Sequence, residues 1–235
     1  KFGYGEIMGI EGDKLEIAGR DGGAIEIEVT LTQRQQAEMA AASDAQRRPQ
    51  MAVAARVKIH PEVFNPVYEQ LLGEQARVQI IYGGSASGKS VFVAQRNVID
   101  LMAGGRNFLC VRNVANTLRG SCFTEMVKVI REWGLLQLFK IRESDMEIAC
   151  ANGYTANFRG LDDVEKLKSF TPQKGSLTDI WIEEATEITE QDFEQLDKRL
   201  RGLTDYARPK RITMTFNPIL RNHWIHRRFF GDWAD

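Results

Sequence analysis

The sequence predicts an α/β fold, in which helices flank a mainly parallel sheet and a small β-rich extension precedes it. From Ile59 onward, short apolar runs alternate with segments of helical periodicity. One such run, 78–82, is followed by a glycine-rich stretch and then by a helical pattern over 91–102. Two further apolar runs, 177–182 and 211–216, end in polar side chains. Because parallel strands end at a common edge of a sheet, we expect ligands to bind there.

Composition and charge are those of an ordinary globular protein. The 235 residues carry 31 Lys and Arg against 32 Asp and Glu, for a net charge of −1. This balance excludes a uniformly basic nucleic-acid binder, so any DNA contact would come from a local patch. No apolar run approaches the roughly 20 residues of a membrane span and no secretory leader is visible, so we expect no membrane partner and a cytosolic setting. Cys110, Cys122 and Cys150 are widely spaced, which favours free thiols.

The N-terminal segment is predicted to form a small β meander, a helix and a linker. Apolar and charged residues alternate over 6–29, where turns containing Asp and Gly interrupt them. Thr32 with Gln35 three residues later is a capping box for a helix that we expect to end near Ser43. The stretch 45–58 has little core-forming content and is interpreted as a linker.

The chain is therefore divided into a small segment, 1–58, and an α/β domain, 59–235. The domain is expected to contain further elements between the apolar runs named above. These are a buried strand at 107–111, an amphipathic helix over 117–133, a hairpin of strands 146–150 and 154–158 that turns at Asn152-Gly153, and a helix over 192–200.

The glycine-rich stretch after the first run fits the phosphate-loop pattern G-x-x-x-x-G-K-[ST]. Its residues are Gly83, Gly84, Ser85, Ala86, Ser87, Gly88, Lys89 and Ser90. Backbone N–H groups of such a loop, with a helix N-terminus behind them, form a positively polarised nest for nucleotide phosphates. Lys89 would reach the β- and γ-phosphates, and the Ser90 hydroxyl would bind Mg²⁺. The sequence therefore predicts a site for a nucleoside triphosphate with Mg²⁺.

Two carboxylates, Glu183 and Glu184, follow the apolar run 177–182. In phosphate-loop enzymes an acid at this edge holds Mg²⁺, since one or two carboxylates suffice for a cation that keeps several waters. We assign that role to Glu183, and activation of the attacking water to Glu184. Because adjacent strand residues point to opposite faces, both can act only if the strand ends there, and Thr186 and Thr189 suggest such a turn. The alternative is a solvated acidic pair.

A third polar residue, Asn217, follows the run 211–216. Its carboxamide offers both a donor and an acceptor, so it can sense a γ-phosphate or the hydrolytic water without adding charge. Pro218 then stops the strand. The alternative is an Asn-Pro turn that has no chemical role.

In their order along the chain, these motifs resemble those of the ATPase domain of the large terminase subunit, the DNA-packaging motor of tailed bacteriophages. The resemblance runs from about Phe64 to Phe230 and also includes Val111-Arg-Asn-Val-Ala-Asn-Thr-Leu-Arg119, Phe158-Arg-Gly-Leu-Asp-Asp163 and Arg199-Leu-Arg201. It implies a P-loop NTPase fold of the ASCE type. By this resemblance the motif residues have the following roles: Lys89 and Ser90 belong to the Walker A motif, Glu183 and Glu184 are the Walker B and catalytic acids, and Thr215 to Asn217 form the coupling motif.

The resemblance also implies ligands, partners and a setting. ATP and Mg²⁺ would be the cofactors, and double-stranded DNA, the portal protein and the small terminase subunit would be the partners. The active form would be a ring of subunits in the host cytoplasm. The family further has a C-terminal nuclease domain with carboxylate-bound metals. After Asn217 only Asp232 and Asp235 remain as acids, so we expect no nuclease activity from this chain.

One departure from the family concerns arginine. Many relatives carry an arginine inside the phosphate loop, whereas this chain has Ser85 and Ser87 at those positions. An arginine that stabilises transition-state charge would then come from elsewhere, including a neighbouring subunit. We include Arg119 among the catalytic candidates, but the sequence does not choose among the arginines in the motifs, which are Arg112, Arg119, Arg159 and Arg201. A structural ion pair is the alternative for each.

Other functions that share these motifs stay open. A helicase-like or recombinase-like ATPase would use the same active site, and strand separation would distinguish it. A small-molecule kinase is disfavoured because it needs no base beside the Mg²⁺ acid, and a GTPase because no Asn-Lys-x-Asp string occurs. A scaffold that binds nucleotide with little turnover is the non-enzymatic alternative.

A few further side chains are candidates for ligand contacts, with core or surface roles as the alternative. They are Tyr68, Gln70, Gln75 and Gln79 for adenine, Arg47, Arg48, Lys166 and Lys168 for DNA phosphates, and His223 and His226 for a metal ion.

Overall fold

The apolar runs form two sheets in the computed structural model, which describes residues 7–11, 14–17, 25–30, 54–162, 171–200, 209–218 and 220–231. The smaller sheet contains Ile7–Glu11 (β1), Lys14–Ile17 (β2), Ile25–Thr30 (β3) and Ala54–Ile59 (β4). The larger sheet contains Val78–Tyr82 (β5), Phe108–Arg112 (β6), Phe139–Arg142 (β7), Glu147–Cys150 (β8), Thr155–Gly160 (β9), Asp179–Glu183 (β10) and Arg211–Phe216 (β11). The α-helices are Pro66–Glu69 (α1), Lys89–Ala103 (α2), Ala115–Leu118 (α3), Thr124–Glu132 (α4), Glu190–Arg199 (α5) and Trp224–Phe229 (α6). Within these described ranges, no helix is both long enough and apolar enough to cross a membrane.

The larger sheet is mainly parallel, as predicted. Its strand order is β5-β11-β10-β6-β9-β8-β7, and the first five strands in this order run parallel to one another. The hairpin predicted across Asn152-Gly153 is confirmed as β8 and β9, with Ile148 opposite Ala156. β7 pairs in antiparallel fashion with β8 at the far edge. The carboxyl ends of β5, β11 and β10 therefore lie side by side.

The central strands bury both faces, which explains why they read as continuous apolar runs. In β10, Trp181 packs on the face covered by α2 and α4, whereas Ile180 and Ile182 pack on the opposite face. Phe193 of α5 and Trp224 of α6 cover that second face. This division follows from the two-residue period of a strand. Two cores enclose the sheet and fix the position of its carboxyl edge.

Helix α2 connects the phosphate loop to the core. It begins at Lys89, directly after Gly88, which adopts a left-handed conformation with φ of 84°. Its polar side chains Lys89, Gln95, Arg96 and Asn97 are buried. Arg96 donates hydrogen bonds to Gln79 Oε1 at 2.6 Å and to Thr213 Oγ1 at 2.7 Å. The helix therefore holds Lys89 on a rigid support that is bonded to two strands of the sheet.

The single helix predicted over 117–133 is wrong in one respect. The chain forms α3, then an irregular wide turn over Arg119–Phe123, and then α4. Ser121 has φ of −124° and ψ of −115°, outside the helical region. Glycine is a poor helix former and serine a weaker one than alanine, so Gly120 and Ser121 favour a break in the helix at this position. The predicted apolar face is correct, because Phe123, Met126 and Ile130 are buried.

The smaller sheet corrects the predicted linker. The predicted strands at the N-terminus are confirmed as β1, β2 and β3, but they do not form a simple meander. Instead β4 lies between β2 and β3, parallel to β2 and antiparallel to β3. The predicted linker is therefore wrong over 54–58, and the boundary between residues 58 and 59 falls inside β4. Val57 and Ile59 are buried in the core on the α2 side.

The remainder of the predicted linker, 45–53, and the predicted helix from Thr32 to Ser43 lie outside the described residues. The division of the chain into two units stays a prediction. The sequence did not predict β4 because Ala54 and Ala55, at its start, obscure the alternation of charged and apolar residues over Arg56, Val57, Lys58 and Ile59.

Candidate active site

The phosphate loop connects the end of β5 to the start of α2. The Gly83 N–H donates to Phe216 O of β11 at 3.3 Å, and the Phe92 N–H donates to Gly88 O at 2.9 Å. Ala86 and Gly88 both have positive φ, of 60° and 84°. The loop is open to solvent at Gly84, Ser85 and Ala86, which are exposed. The strand, loop and helix that the sequence predicted are confirmed, and phosphate binding by the loop N–H groups at the N-terminus of α2 stays a prediction.

Tyr68 supports this loop from behind. Its hydroxyl donates to Ser87 O at 3.2 Å, and its ring stacks on Phe92 with centroids 5.0 Å apart. The ring also approaches Gly88, where an added Cβ would lie 3.8 Å from it. Tyr68 is buried, so its described contacts are those of a loop support rather than of an adenine contact.

The glutamine candidates for adenine have similar structural contacts. Gln79 Nε2 donates to Glu74 O at 3.0 Å and to Ala76 O at 3.2 Å. Gln75 Oε1 accepts from Arg106 at 3.2 Å. Gln70 is exposed at the end of α1. No described contact joins any of the three to the phosphate loop, so base recognition by these glutamines stays a prediction.

Lys89 and Asn217 lie together at the carboxyl edge of the sheet. Lys89 is 7 % exposed, and its Nζ donates to Asn217 Oδ1 at 2.9 Å and to Gly84 O at 3.3 Å. Both acceptors are neutral oxygens. A phosphate oxygen carries charge and forms the stronger hydrogen bond with an ammonium group. Lys89 Nζ therefore lies beside the loop, where a phosphate oxygen could replace its two neutral hydrogen-bond acceptors.

Glu183 lies between two hydroxyl donors. Ser90 Oγ donates to Glu183 Oε1 at 3.1 Å, and Thr215 Oγ1 donates to Glu183 Oε2 at 3.1 Å. Burial raises the pKa of the Glu183 carboxyl, and the neighbouring charge of Glu184 raises it further. The hydrogen bonds from Thr215 and Ser90 and the charge of Arg112 oppose that shift. The structure thus brings together the two residues that the sequence assigned to Mg²⁺.

This pair fits a magnesium ion by the chemistry of its donors. A serine hydroxyl and a carboxylate are hard oxygen ligands, and Mg²⁺ is held in proteins by one or two such groups together with waters and substrate phosphates. In the described part of the chain, no group of three or more His, Cys, Asp or Glu side chains could hold a metal ion. A site completed by the phosphates of a nucleotide is therefore the arrangement that Ser90 and Glu183 fit.

Glu184 lies where β10 ends. Its backbone has φ of 51° and ψ of 55°, in the left-handed region, and it precedes a 3-10 turn over Ala185–Glu187. This confirms the prediction that the chain turns directly after the first acid. Because of the turn, Glu184 does not continue the alternation of the strand, and both carboxylates lie at the same edge. Glu184 is half-buried, whereas Glu183 is buried.

The arginine candidates occupy different places. Arg112, at the end of β6, forms two hydrogen bonds with Glu187, at 3.0 and 3.1 Å. Arg119 and Arg159 both donate to carbonyls of the β7–β8 loop, to Glu143 O at 3.0 Å and to Asp145 O at 2.8 Å respectively. Arg201 lies outside the described residues. None of the described arginine contacts reaches the phosphate loop, so an arginine acting in catalysis stays a prediction.

The histidine candidates are engaged in the fold. His223 Nδ1 accepts from the Ile225 N–H at 3.2 Å and so caps helix α6. The His226 ring packs against Phe230, with centroids 5.9 Å apart. The DNA candidates Arg47, Arg48, Lys166 and Lys168 all lie outside the described residues.

Sequence reasoning missed the hydrogen-bond role of Thr215. Trp181 Nε1 donates to Thr215 Oγ1 at 2.9 Å, which leaves the Thr215 proton free to reach Glu183. A signal was present, because Thr213 and Thr215 alternate within a strand that is otherwise apolar. Buried hydroxyls need partners, so two threonines on one buried face indicate polar neighbours on an adjacent element.

Comparison with known proteins identifies the family. A protein-family model described as "Phage terminase large subunit" matches residues 75–235. The PBSX phage terminase large subunit of Bacillus subtilis (strain 168) is 32 % identical over 171 residues, which are 72 % of this chain and 38 % of that protein. The terminase large subunit of Bacillus phage SPP1 is 27 % identical over 182 residues, 72 % of this chain and 43 % of that protein. The chain thus spans about two fifths of the length of these relatives.

A solved structure shows the same fold. The large terminase of the thermophilic bacteriophage D6E has a TM-score of 0.52 and 14 % identity, covering 86 % of this chain and 42 % of its own. Its complex with ATP-gamma-S gives a TM-score of 0.51. The P-loop fold that the motifs predicted is confirmed. The resemblance that they suggested is confirmed as well: the chain belongs to the phage terminase large subunit family.

Proposed function

We propose that this chain is the ATP-hydrolysing motor domain of a terminase large subunit and that it drives double-stranded DNA into a procapsid. The observation that carries the proposal is the meeting of two hydrogen-bonded pairs at one edge of the sheet, Lys89 with Asn217 and Ser90 with Glu183. These residues come from the phosphate loop and from the ends of two other strands. Their convergence is what binding and hydrolysis of a nucleoside triphosphate require.

Binding uses the loop and its lysine. The backbone N–H groups of residues 83–90 receive the phosphates, and Lys89 exchanges the neutral oxygens of Asn217 and Gly84 for phosphate oxygens. Ser90 and Glu183 would hold Mg²⁺, which neutralises charge on the β- and γ-phosphates when it is bound. The complex of the D6E large terminase with ATP-gamma-S supports ATP as the nucleotide.

Hydrolysis uses Glu184. Its carboxylate orients a water molecule and accepts a proton as the water oxygen attacks the γ-phosphorus. The bond from the γ-phosphorus to the β–γ bridging oxygen breaks, and ADP leaves with that electron pair. The proton then passes from Glu184 to the released phosphate or to solvent. Asn217, freed from Lys89, faces the γ-phosphate with an uncharged carboxamide.

Movement would follow from the loss of that phosphate. Asn217 lies at the end of β11 and is bonded to Lys89, so its environment changes when the lysine exchanges partners. The family supports the remaining parts of the proposal, which are a ring of subunits, contact with the portal and the small terminase subunit, and action in the host cytoplasm. We propose in addition that this chain does not cut DNA.

Steady-state ATPase measurements on the assembled protein test the enzyme. We expect Glu184→Gln to lower kcat by a factor of about 10²–10⁴, the usual contribution of a general base. Lys89→Ala should abolish binding of MgATP in calorimetry. Equal kcat for wild type and Glu184→Gln would remove Glu184 from the mechanism. Absence of heat when MgATP is added to the wild-type protein would remove the nucleotide itself.

A second candidate is a nucleotide-binding piece that turns over slowly when isolated. It is favoured by the contacts of Arg112, Arg119 and Arg159, which in the described part of the chain pair within the fold rather than with the phosphate loop. If an arginine from a neighbour completes the site, a dilute monomer would bind ATP but hydrolyse it slowly. A rate per chain that does not change with protein concentration would favour the complete single-chain enzyme instead.

A further inference from the structure

The backbone of Glu184 is strained. A non-glycine residue in the left-handed region, with φ of 51° and ψ of 55°, is disfavoured and persists only where the surrounding structure imposes it. The Glu187 N–H donates to Glu184 O at 2.9 Å, but a glutamate side chain does not favour this conformation by local hydrogen bonding, as the short side chain of an asparagine would. The contacts that impose it must therefore come from the residues on either side, and the short turn that follows, Ala185–Glu187, is where such contacts are found.

The first contact comes from β6. Arg112 Nε lies 3.1 Å from Glu187 Oε2 and its Nη2 lies 3.0 Å from Glu187 Oε1, a two-point pair that fixes orientation as well as distance. The Arg112 side chain is 19 % exposed, so solvent competes only in part. β6 pairs directly with β10 up to Val111 opposite Ile182. The pair thus ties the last residue of the turn to the strand beside Glu183.

The second contact comes from α6. Trp224 Nε1 donates to Ile188 O at 2.8 Å, and the Trp224 ring is buried against Phe193. His223, one residue earlier, accepts from the Ile225 N–H through Nδ1, so its proton lies on Nε2, 3.4 Å from Thr186 O. The turn is therefore held from two sides, by β6 at its last residue and by α6 at carbonyls within and after it.

We propose that Arg112, Glu187 and Trp224 are positioning residues that hold Glu184 in its strained conformation. The inference rests on the proposed function, in which Glu184 activates water. Arg112 acts through Glu187 and not through the phosphates. The carboxylate that accepts the proton must be placed to within a fraction of an ångström, and displacement by about 1 Å costs roughly 10²-fold in rate.

The geometry also connects this turn to the sensor side of the site. Asn217 directly follows β11 and accepts a hydrogen bond from Lys89. A few residues further along the chain, Trp224 donates to Ile188 O, directly after the turn. One short stretch of chain therefore contains both Asn217, which contacts Lys89, and Trp224, which helps to hold the turn that follows Glu184. The positioning role therefore concerns kcat, whereas the phosphate loop determines nucleotide affinity.

A double-mutant cycle separates positioning from direct catalysis. We expect Arg112→Ala and Glu187→Ala each to lower kcat about tenfold to hundredfold. KM and the dissociation constant of a fluorescent ATP analogue should stay within about twofold of the wild type, because neither residue contacts the loop. The double variant should be no slower than Arg112→Ala alone, since Glu187→Ala removes an interaction that Arg112→Ala has already removed. If Glu187→Ala keeps the wild-type kcat while Arg112→Ala is slow, Arg112 acts directly and the proposal is overturned.

Trp224→Phe provides a second test, because it keeps an aromatic side chain beside Phe193 but removes the N–H that binds Ile188 O, together with one ring of the indole. We expect its kcat to fall with nucleotide affinity unchanged. The matched control is Arg228→Gln on the same helix, which breaks pairs with Glu190 and Glu194 and the contact of Arg228 with the Phe193 ring, but keeps the hydrogen bonds that Arg112 and Trp224 make at the turn, so its kcat should equal that of the wild type. Circular dichroism and melting temperature verify that each variant folds.

The outcomes also distinguish the inference from the proposed function. If the wild type has no ATPase activity, or equals Glu184→Gln, the function fails and the inference with it. If the wild type is active, Glu184→Gln is inactive, and both Glu187→Ala and Trp224→Phe keep the wild-type kcat, the inference alone is overturned. A fall in kcat for both, with unchanged affinity and an unaffected Arg228→Gln, supports it.

Discussion

The Thr215 hydroxyl helps to orient the carboxylate of Glu183. Thr215 Oγ1 accepts from Trp181 Nε1, and its own proton is donated to Glu183 Oε2 at 3.1 Å, a shorter contact than the one with Ile182 O at 3.4 Å. With Ser90 on the other oxygen, both ends of the carboxylate are held. A ligating carboxylate that is hydrogen-bonded from behind keeps its orientation when a metal ion binds at its front.

We therefore expect Thr215→Val to weaken Mg²⁺ binding in the presence of nucleotide about 10–100-fold, the usual effect of removing such a supporting group. Thr215→Ser keeps the hydroxyl and should behave like the wild type. Mg²⁺ titrations followed by a fluorescent ATP analogue measure both. Equal Mg²⁺ affinity for the valine and serine variants would show that Glu183 needs no support from Thr215.

The cysteines give a residue-scale prediction that is independent of nucleotide. Cys110, Cys122 and Cys150 are free and buried, and burial raises the pKa of Cys122 and of Cys150 from 9.0 to about 12. A raised pKa means that the neutral thiol is favoured in the folded state. Its contribution to the free energy of unfolding is fully present below pH 9.0 and is lost as the pH rises through about 12.

At pH 8 we expect no rapid reaction of the native protein with Ellman's reagent, and reaction of all the cysteines after denaturation. Between pH 9.0 and about 12 the wild type should lose more stability than a Cys122→Ala, Cys150→Ala variant, measured by urea unfolding. A thiol that reacts within seconds in the native protein would contradict the buried placement.

At this scale the sequence predicted the residue types of the site and some, but not all, of the contacts between them. The pairs Lys89 with Asn217 and Ser90 with Glu183 follow from motifs at strand ends, so their meeting could be expected. The pairing of Arg112 with Glu187 could not, because either side chain can reach solvent and nothing in the local pattern selects one partner. Long side chains on loops have too many alternatives for a sequence to decide.

At the scale of elements, a network of buried ions joins α2, β10 and β11 at the edge opposite the phosphate loop. Asp179 accepts from Arg106 at 2.9 Å and from Arg211 at 2.6 Å, and Arg211 also pairs with Asp100 of α2. Arg106, Arg211 and Asp179 are almost completely buried. The network therefore fixes the helix that carries Lys89 against the strands that carry Glu183 and Asn217.

We expect Asp179→Asn to lower the free energy of unfolding by about 3–5 kcal/mol, because it leaves two buried arginines without their shared carboxylate. The melting temperature should fall by roughly 10 °C or more. The matched control is Asp197→Asn, which breaks an exposed pair with Arg77 and should cost at most about 1 kcal/mol. Equal melting temperatures for the two variants, measured by calorimetry, would show that the network adds nothing to stability.

Element types could be predicted where local pattern and burial agree. The runs that became β5, β6, β10 and β11 are apolar because both of their faces are covered, and a short apolar run between turns has few other interpretations. The break at Ser121 and the strand Ala54–Ile59 were not foreseen. Both depend on packing partners far along the chain, which a local pattern does not contain.

At the scale of the whole molecule, the order of the parallel strands brings the residues of the site together. Residues separated by 128 positions, Lys89 and Asn217, meet because β5 and β11 are neighbours and end at the same edge. Walker-type motifs could therefore be placed together from sequence alone. An arginine from a second subunit could not be, since no local rule describes the surface that another copy presents.

A mixing experiment tests such an arginine directly. Glu184→Gln retains every arginine but lacks the base, whereas Arg119→Ala retains the base but lacks the candidate arginine. If Arg119 acts on a neighbouring subunit, each variant alone should lose most of its ATPase activity, since an arginine supplied in trans is worth about 10³–10⁵ in kcat. Mixed rings should then regain activity, because some interfaces pair an intact base with an intact arginine.

Arg159→Ala is the matched control, since Arg159 holds the same β7–β8 loop as Arg119. If Arg119→Ala and Arg159→Ala lose activity equally and neither recovers on mixing with Glu184→Gln, Arg119 supports the loop and the arginine must be sought elsewhere.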